Sequence, residues 1–229
     1  MKHHAFSDAP FHAGLADGPP GAVSVWLKAG AARIRVAWWK AGDKGTVLLL
    51  PGRTECVEKY GRAAGELVAR GYSVITIDWR GQGLADRALP DRMIGHVGNF
   101  AEYQQDLDAM LEEAARADLP KPYYMIAHSM GGCIGLRGLM RSLPVRAAAF
   151  SAPMWGIAMA AWLRPVASVV GALAGPFRLA HRYAPTTGGK AYLLQFPFEG
   201  NVLTTDRERW GYMRRQIAEV PDLALGGPS

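Results

Sequence analysis

The 229 residues, 49% hydrophobic and 20% charged, suffice for one large domain or for a core with a smaller insertion. A net charge of +6 is compatible with attraction to anionic lipid or nucleic acid, but Lys and Arg are scattered. With no basic run and no nucleic-acid motif, a solvated surface is the reading, and no nucleic-acid partner is expected.

The two cysteines, Cys56 and Cys133, make no disulfide framework and suit a reducing, cytoplasmic compartment. No apolar run follows the first charged residues, so no signal peptide is expected. The longest apolar region, Met154 to Phe177, is split by Arg164 and Pro165 into pieces of 10 and 12 residues. Each is shorter than the ~18 residues a membrane-spanning helix needs. No repeat, low-complexity tract or metal-ligand set is present, and no cofactor is expected.

In chain order, residues 1–21 are rich in Pro, Gly, Ala and Asp and read as an irregular arm. Ala22 to Lys28 and Arg33 to Trp39 are β-prone runs joined by a short Gly-Ala connection, the pattern of an antiparallel hairpin. Thr46 to Leu50 is a continuous apolar run of the kind buried in parallel sheets. It ends at Pro51-Gly52-Arg53-Thr54-Glu55, and a helix is expected from about Val57 to Arg70, stopped by Gly71. Ser73 to Asp78 is the next strand, and a helix from about Phe100 to Ala117 follows the intervening loop. Tyr123 to Ala127 is a fifth strand, the segment Cys133 to Leu143 has helical periodicity, and Val145 to Ser151 is a sixth strand. Strand and helix alternate, which predicts an α/β core over residues 22–154 with a parallel sheet after an antiparallel start.

The centre of this pattern is Ala127-His128-Ser129-Met130-Gly131-Gly132, between the fifth strand and its helix. A sharp strand-to-helix turn brings the flanking backbones together, so the positions two before and two after the serine must be small. They are Ala127 and Gly131. Ser129 is then left at the tip in a strained conformation, near the positive end of a helix, as a nucleophile requires. The plainer alternative is a loop serine capping a helix. Loops at the carboxyl ends of the strands carry such sites. The backbone N–H groups of Arg53 and Met130 are the expected oxyanion-hole donors. For Pro51-Gly52 alone, an ordinary turn would be the simpler reading. Asp78-Trp79-Arg80-Gly81-Gln82-Gly83 is assigned structure rather than chemistry.

The strings P-G-R-T-E, D-W-R-G-Q-G and A-H-S-M-G-G, in this order, resemble the α/β-hydrolase fold. More narrowly they resemble its monoacylglycerol lipase and lysophospholipase L2 group, from about Trp26 to Ser229. Phe196 to Asp206 and Leu223 to Pro228 are similar to the lysophospholipase L2 side. Ala127, Pro51 and Ala85 depart from the residues usual in the wider fold. The resemblance implies a carboxylic-ester hydrolase acting through an acyl-enzyme on Ser129, with a small lipid-like ester as substrate. It also implies a cytoplasmic protein with peripheral contact at the inner membrane surface. Residues 155–229 resemble the helical lid of that group. In it, Trp155, Met159, Trp162 and Phe177 either line an acyl-chain channel or form the lid's own packing. Two other readings stay open: an amide hydrolase of the proline iminopeptidase kind, and a binding protein that kept the pocket without the catalysis.

A serine nucleophile needs a base and an acid, which in this fold follow it in the order Ser, Asp or Glu, His. Beyond Ser129 the only histidine is His181, and no Asp or Glu lies between them. His128 adjoins the serine and its ring should diverge from the hydroxyl. His96 with Asp106 or Asp108 would give another order, but both aspartates read as lying on a surface helix. The resemblance therefore leads to the expectation that the last two core strands, the acid and the histidine lie beyond residue 229. The 229 residues alone would then be inactive, and Val145 to Phe150 would be a sheet edge.

Overall fold

A computed structural model describes residues 8–156, 160, 162, 164–165, 168–169, 171 and 181–229. Six strands form a single sheet in the order β1-β2-β4-β3-β5-β6. The antiparallel hairpin of β1 (Val23–Ala29) and β2 (Ala32–Trp39) turns through Gly30, whose φ of 60° favours glycine. β2 then pairs antiparallel with β4 (Ser73–Asp78), and β4, β3 (Thr46–Leu50), β5 (Tyr123–His128) and β6 (Val145–Ser151) are mutually parallel. The antiparallel start and parallel core are as expected from the pattern.

Every residue of β3 and β4 is buried, because helices cover both faces of the sheet there. Alternation sorts their side chains. Leu48, Leu50, Ile75 and Ile77 pack with Leu107 and Met110 of α3 (Tyr103–Arg116) and Ile134 of α4 (Met130–Met140). Val47, Leu49 and Val74 face the other way, onto Trp39, Val57 and Ala64 of α2 (Gly61–Ala69). The single helix expected from Val57 to Arg70 is divided into a 3-10 turn, Val57–Tyr60, and α2.

The N-terminal arm is more ordered than its composition suggests. It contains one helical turn, α1 (Ala13–Ala16), and Phe11 packs edge-on against Trp39, 5.7 Å between centroids. After β6 the sheet stops and short helices take over: α5 (Tyr192–Gln195) and α6 (Arg207–Glu219), the latter N-capped by Asp206. α6 clamps the arm to the core, since Tyr212 donates to the carbonyl of Ala16 (2.7 Å) and Gln216 to that of Leu15 (2.9 Å). The last residues run beside 93–95, with Gly95 N–H donating to Gly227 and Gly226 N–H to Met93, both at 2.9 Å. β6 is the sheet edge, and Arg146 to Ala149 are exposed. Among the described residues no helix is long and apolar enough to cross a membrane.

Two buried ion clusters tie the loops to the sheet. Arg35, in the middle of β2, lies 2.7 Å from both Glu58 and Asp78, and all three side chains are fully buried. Asp78 also accepts from the amides of Val57 and Leu84, each at 2.8 Å, which fixes the loops after β3 and β4. The second cluster corrects an expectation. Asp106 is not on the water-facing side of α3 but is fully buried, accepting from Arg80 Nη2 at 2.7 Å and from the Arg80 amide at 3.1 Å. It shares the helix face of Tyr103 and Met110 at i+3 and i+4 spacing, so the Arg80 loop reaches it from above. Burial pushes its carboxyl pKa up, against the pull of Arg80. Asp108 does face outward and pairs with Arg141 at 2.9 Å.

Candidate active site

Ser129 sits between β5 and α4 with φ 50° and ψ −118°, a conformation a non-glycine residue rarely adopts. Strain of this kind costs ~1–3 kcal/mol and persists only where the surroundings enforce it. The enforcement is visible in the hydrogen bonds. Ser129 N–H donates to Ser151 O at 3.1 Å, while its carbonyl accepts from Gly132 (2.9 Å) and Met154 (2.9 Å). Gly131 passes so close to the loop after β3 that a Cβ there would run into the carbonyl oxygens of Leu50 and Pro51. Ala127 is fully buried on the other side of the turn. The small residues flanking the serine therefore have the steric reason inferred from their spacing.

The loop after β3 lies directly against the serine, since a Cβ built on Gly52 would stand 3.1 Å from Ser129 Cβ. Its amides are divided up by two side chains. Gly52 N–H donates to Glu55 Oε2 and Thr54 N–H to Gln82 Oε1, both at 2.5 Å. Trp79 Nε1 donates to the Pro51 carbonyl at 2.9 Å and pins the start of the loop. Between two engaged amides, that of Arg53 is left without an acceptor among the described residues, as is that of Met130 at the start of α4. Two unengaged N–H groups flanking a strained serine can stabilise a developing oxyanion.

Glu55 is the polar anchor of this loop. Its side chain is only 6% exposed, accepts from Tyr60 Oη at 2.5 Å and pairs with Lys59. Burial alone would raise its pKa, but Lys59, Tyr60 and His128 outweigh that and hold the carboxyl below its ordinary range. The His128 ring nitrogens are directed to groups other than Ser129: Nδ1 is 3.1 Å from the Ser151 carbonyl and Nε2 is 3.7 Å from Glu55 Oε1.

A cavity of about 170 Å³ opens at Ser129. Arg53, Glu55, Lys59 and His128 form its polar side, and Tyr192, Leu193, Leu203, Met213, Ile217 and Leu225 its apolar side. Of the expected channel residues, the two that are described do not line it. Trp155 is 58% exposed and packs on Phe150 (5.2 Å between centroids), Trp162 is 71% exposed, and neither lines this cavity. Met159 and Phe177 lie outside the described residues. Among the described residues the apolar wall comes from α5, α6, Leu203 in the loop between them and Leu225, and its one advance signal was Trp210, Met213 and Ile217 at helical spacing. His96 and His181 meet edge-on, 5.1 Å between ring centroids, and His96 Nδ1 meets Ser229 Oγ at 2.7 Å. Neither histidine lines the cavity.

With this geometry in hand, the sequence profile of the family described as serine aminopeptidase S33 matches residues 41–228. The chain belongs to that family. It is 36% identical over 184 residues to lysophospholipase L2 of Escherichia coli strain K12, covering 80% of this chain and 53% of the relative. Probable lysophospholipase L2 of Haemophilus influenzae is 29% identical over the same share of this chain and 56% of its own. The chain thus spans about half the length of the curated relatives it matches. Among solved structures, a soluble variant of monoglyceride lipase from Saccharomyces cerevisiae aligns over 88% of this chain and 63% of its own, at 20% identity and a TM-score of 0.58. The fold of this S33 member is the α/β-hydrolase fold, and the curated relatives named above are lysophospholipases L2, one side of the group its motifs resemble.

Proposed function

We propose that this chain carries the nucleophile and oxyanion hole of a carboxylic-ester hydrolase acting on lysophospholipid or monoacylglycerol. The observation that supports this best is the conjunction at Ser129: a positive-φ serine beside the amides of Arg53 and Met130, which have no acceptor among the described residues. In this reading Ser129 Oγ attacks the ester carbonyl and its proton passes to a base. The carbonyl oxygen gains the negative charge, which the two amides stabilise. Collapse expels the glycerol-bearing alcohol and leaves an acyl-enzyme, which water then cleaves. The base and its acid, in the order this fold uses, are not among residues 130–229. The acyl chain would lie against Leu193, Leu203, Met213 and Ile217.

The relatives' names and the apolar wall favour an ester over a peptide amide, although S33 is described by its aminopeptidases. The protein is further proposed to be cytoplasmic and to touch the inner membrane surface peripherally. Exposed Leu194, Phe196, Val202 and Leu203, next to the cavity wall, support that contact. The test is kinetic, in the protein carrying this chain: Ser129→Ala should abolish lysophospholipid hydrolysis, and activity within tenfold of wild type would refute the assignment. Faster cleavage of a prolyl anilide than of a matched ester would favour the amide reading.

A further inference from the structure

If Ser129 is the nucleophile of a lysolipid esterase, one charge at its cavity remains without a role. Lys59 is spent on Glu55, and His128 Nε2 faces the same carboxylate. Arg53 has no counter-ion. Among the described residues its guanidinium makes one hydrogen bond, from Nη2 to the carbonyl of Gly226 at 2.8 Å, and Nε and Nη1 have no acceptor. Yet Arg53 lines the cavity together with Leu225 and Ser129. Arg53 is half-buried, and burial lowers the guanidinium pKa with Tyr103 acting the other way, so this cation is partly desolvated with no carboxylate beside it among the described residues. Lys59 and Glu55 cancel, which leaves the polar side of the cavity with the charge of Arg53.

A planar guanidinium with free N–H groups matches phosphate oxygens, which it can take in a two-pronged contact. The covalent reach from the Arg53 amide to its guanidinium is comparable to that from the ester carbonyl to the phosphorus of a lysophospholipid. The main chain and side chain of this one residue can therefore address both ends of such a head group. The Gly226 tether restricts the side chain, so less freedom is lost on binding.

We propose that the Arg53 side chain is a specificity determinant of this site, binding the head-group phosphate so that lysophospholipids are preferred over neutral monoacylglycerols of equal chain length. The proposal rests on the hydrolase reading for its substrate, but not for its binding.

The experiment compares the protein carrying this chain with its Arg53→Ala and Arg53→Lys variants. Substrates are a short-chain 1-acyl-lysophosphatidylglycerol and the monoacylglycerol of the same acyl group, both below their aggregation concentrations. The ratio of kcat/KM for the anionic over the neutral ester should fall about tenfold or more in Arg53→Ala, mainly through KM. Arg53→Lys should recover part of it, and the wild-type KM for the anionic ester should rise with salt. A ratio unchanged within twofold overturns the proposal, including when Arg53→Ala slows both esters equally because the Gly226 tether is lost. A calorimetric arm on Ser129→Ala protein measures binding of the same two lipids with and without Arg53→Ala. Hydrolysis with an unchanged ratio leaves the hydrolase reading standing and removes this one. Absence of hydrolysis with Arg53-dependent binding of the anionic lipid does the reverse. Binding that does not depend on Arg53 removes the proposal outright.

Discussion

Glu55 touches no reacting atom in the proposed mechanism, yet the geometry makes it responsible for where the Arg53 amide points. Its carboxylate accepts from Gly52 N–H and Tyr60 Oη at 2.5 Å each and pairs with Lys59, on a side chain 6% exposed. Glu55→Gln removes the charge and offers one carbonyl oxygen where three donors converge. A hydrogen bond to a charged group contributes roughly 1.5–3 kcal/mol, and Lys59 can turn to water, so the expected loss of stability is about 2–4 kcal/mol. At this chain length that is a fall in Tm of about 4–16 °C. The larger effect falls on catalysis. Losing a whole oxyanion donor costs ~10²–10³ in kcat, and a loosened one should cost about 10–100-fold. Steady-state kinetics on a lysophospholipid, in the protein carrying this chain, should show this loss in kcat with KM within about threefold. The depressed pKa of Glu55 adds a pH signature. Its stabilisation is fully present above the ordinary carboxylate pKa of ~4.3 and is lost as pH falls through the lower folded value. Glu55→Gln should remove that part of the acid-side decline. A kcat within twofold of wild type, with an unchanged acid limb, would refute the positioning role.

Asp78→Ala leaves the fully buried Arg35 with Glu58 as its one carboxylate among the described residues and strips the acceptor from the amides of Val57 and Leu84, so denaturant melts should show a loss of about 3–5 kcal/mol. Arg35→Met, which spares the amide contacts of Asp78 but unpairs two carboxylates, should also destabilise, and a neutral result would show the cluster to be dispensable. Gly131→Ala should prevent the elbow from closing, because its methyl would meet the carbonyls of Leu50 and Pro51; sharp unfolding and full esterase activity in this variant would contradict the steric argument. The 229 residues expressed alone should self-associate through β6, an edge strand whose exposed stretch carries only Arg146 as a charge. Sedimentation should show Ala148→Lys shifting that mixture toward monomer, and a wild-type monomer at high concentration would refute it.

The strands were legible because each is a compact apolar run bounded by Gly, Pro or a charged loop: Thr46 to Leu50, Ser73 to Asp78 and Val145 to Ser151 stand where the pattern put them. The placement of the elbow was legible too, since small residues two positions either side of Ser129 encode a steric demand. Asp106 was misread because its charge was weighed over its position, although Tyr103 and Met110 mark the face it shares. The support of the loop by Glu55 and Gln82 had no local signal, as Gln82 lies 28 residues from the Thr54 amide it accepts from. The cavity wall was sought among Trp155, Met159, Trp162 and Phe177. Among the described residues it is built by side chains the fold brings back, and the i, i+3, i+7 stripe of α6 announced only Met213 and Ile217.

The most direct test is where an irreversible acylation mimic lands. A fluorophosphonate bears a tetrahedral phosphorus and an oxygen that occupies the oxyanion position, so it reacts fastest with a serine that has both an activated hydroxyl and donors in place. In the protein carrying this chain, peptide mass spectrometry after brief treatment should find the adduct on Ser129, and Ser129→Ala should abolish both adduct and esterase activity. An adduct on another serine, or esterase activity within tenfold of wild type in Ser129→Ala, would contradict the assignment of Ser129 as the nucleophile.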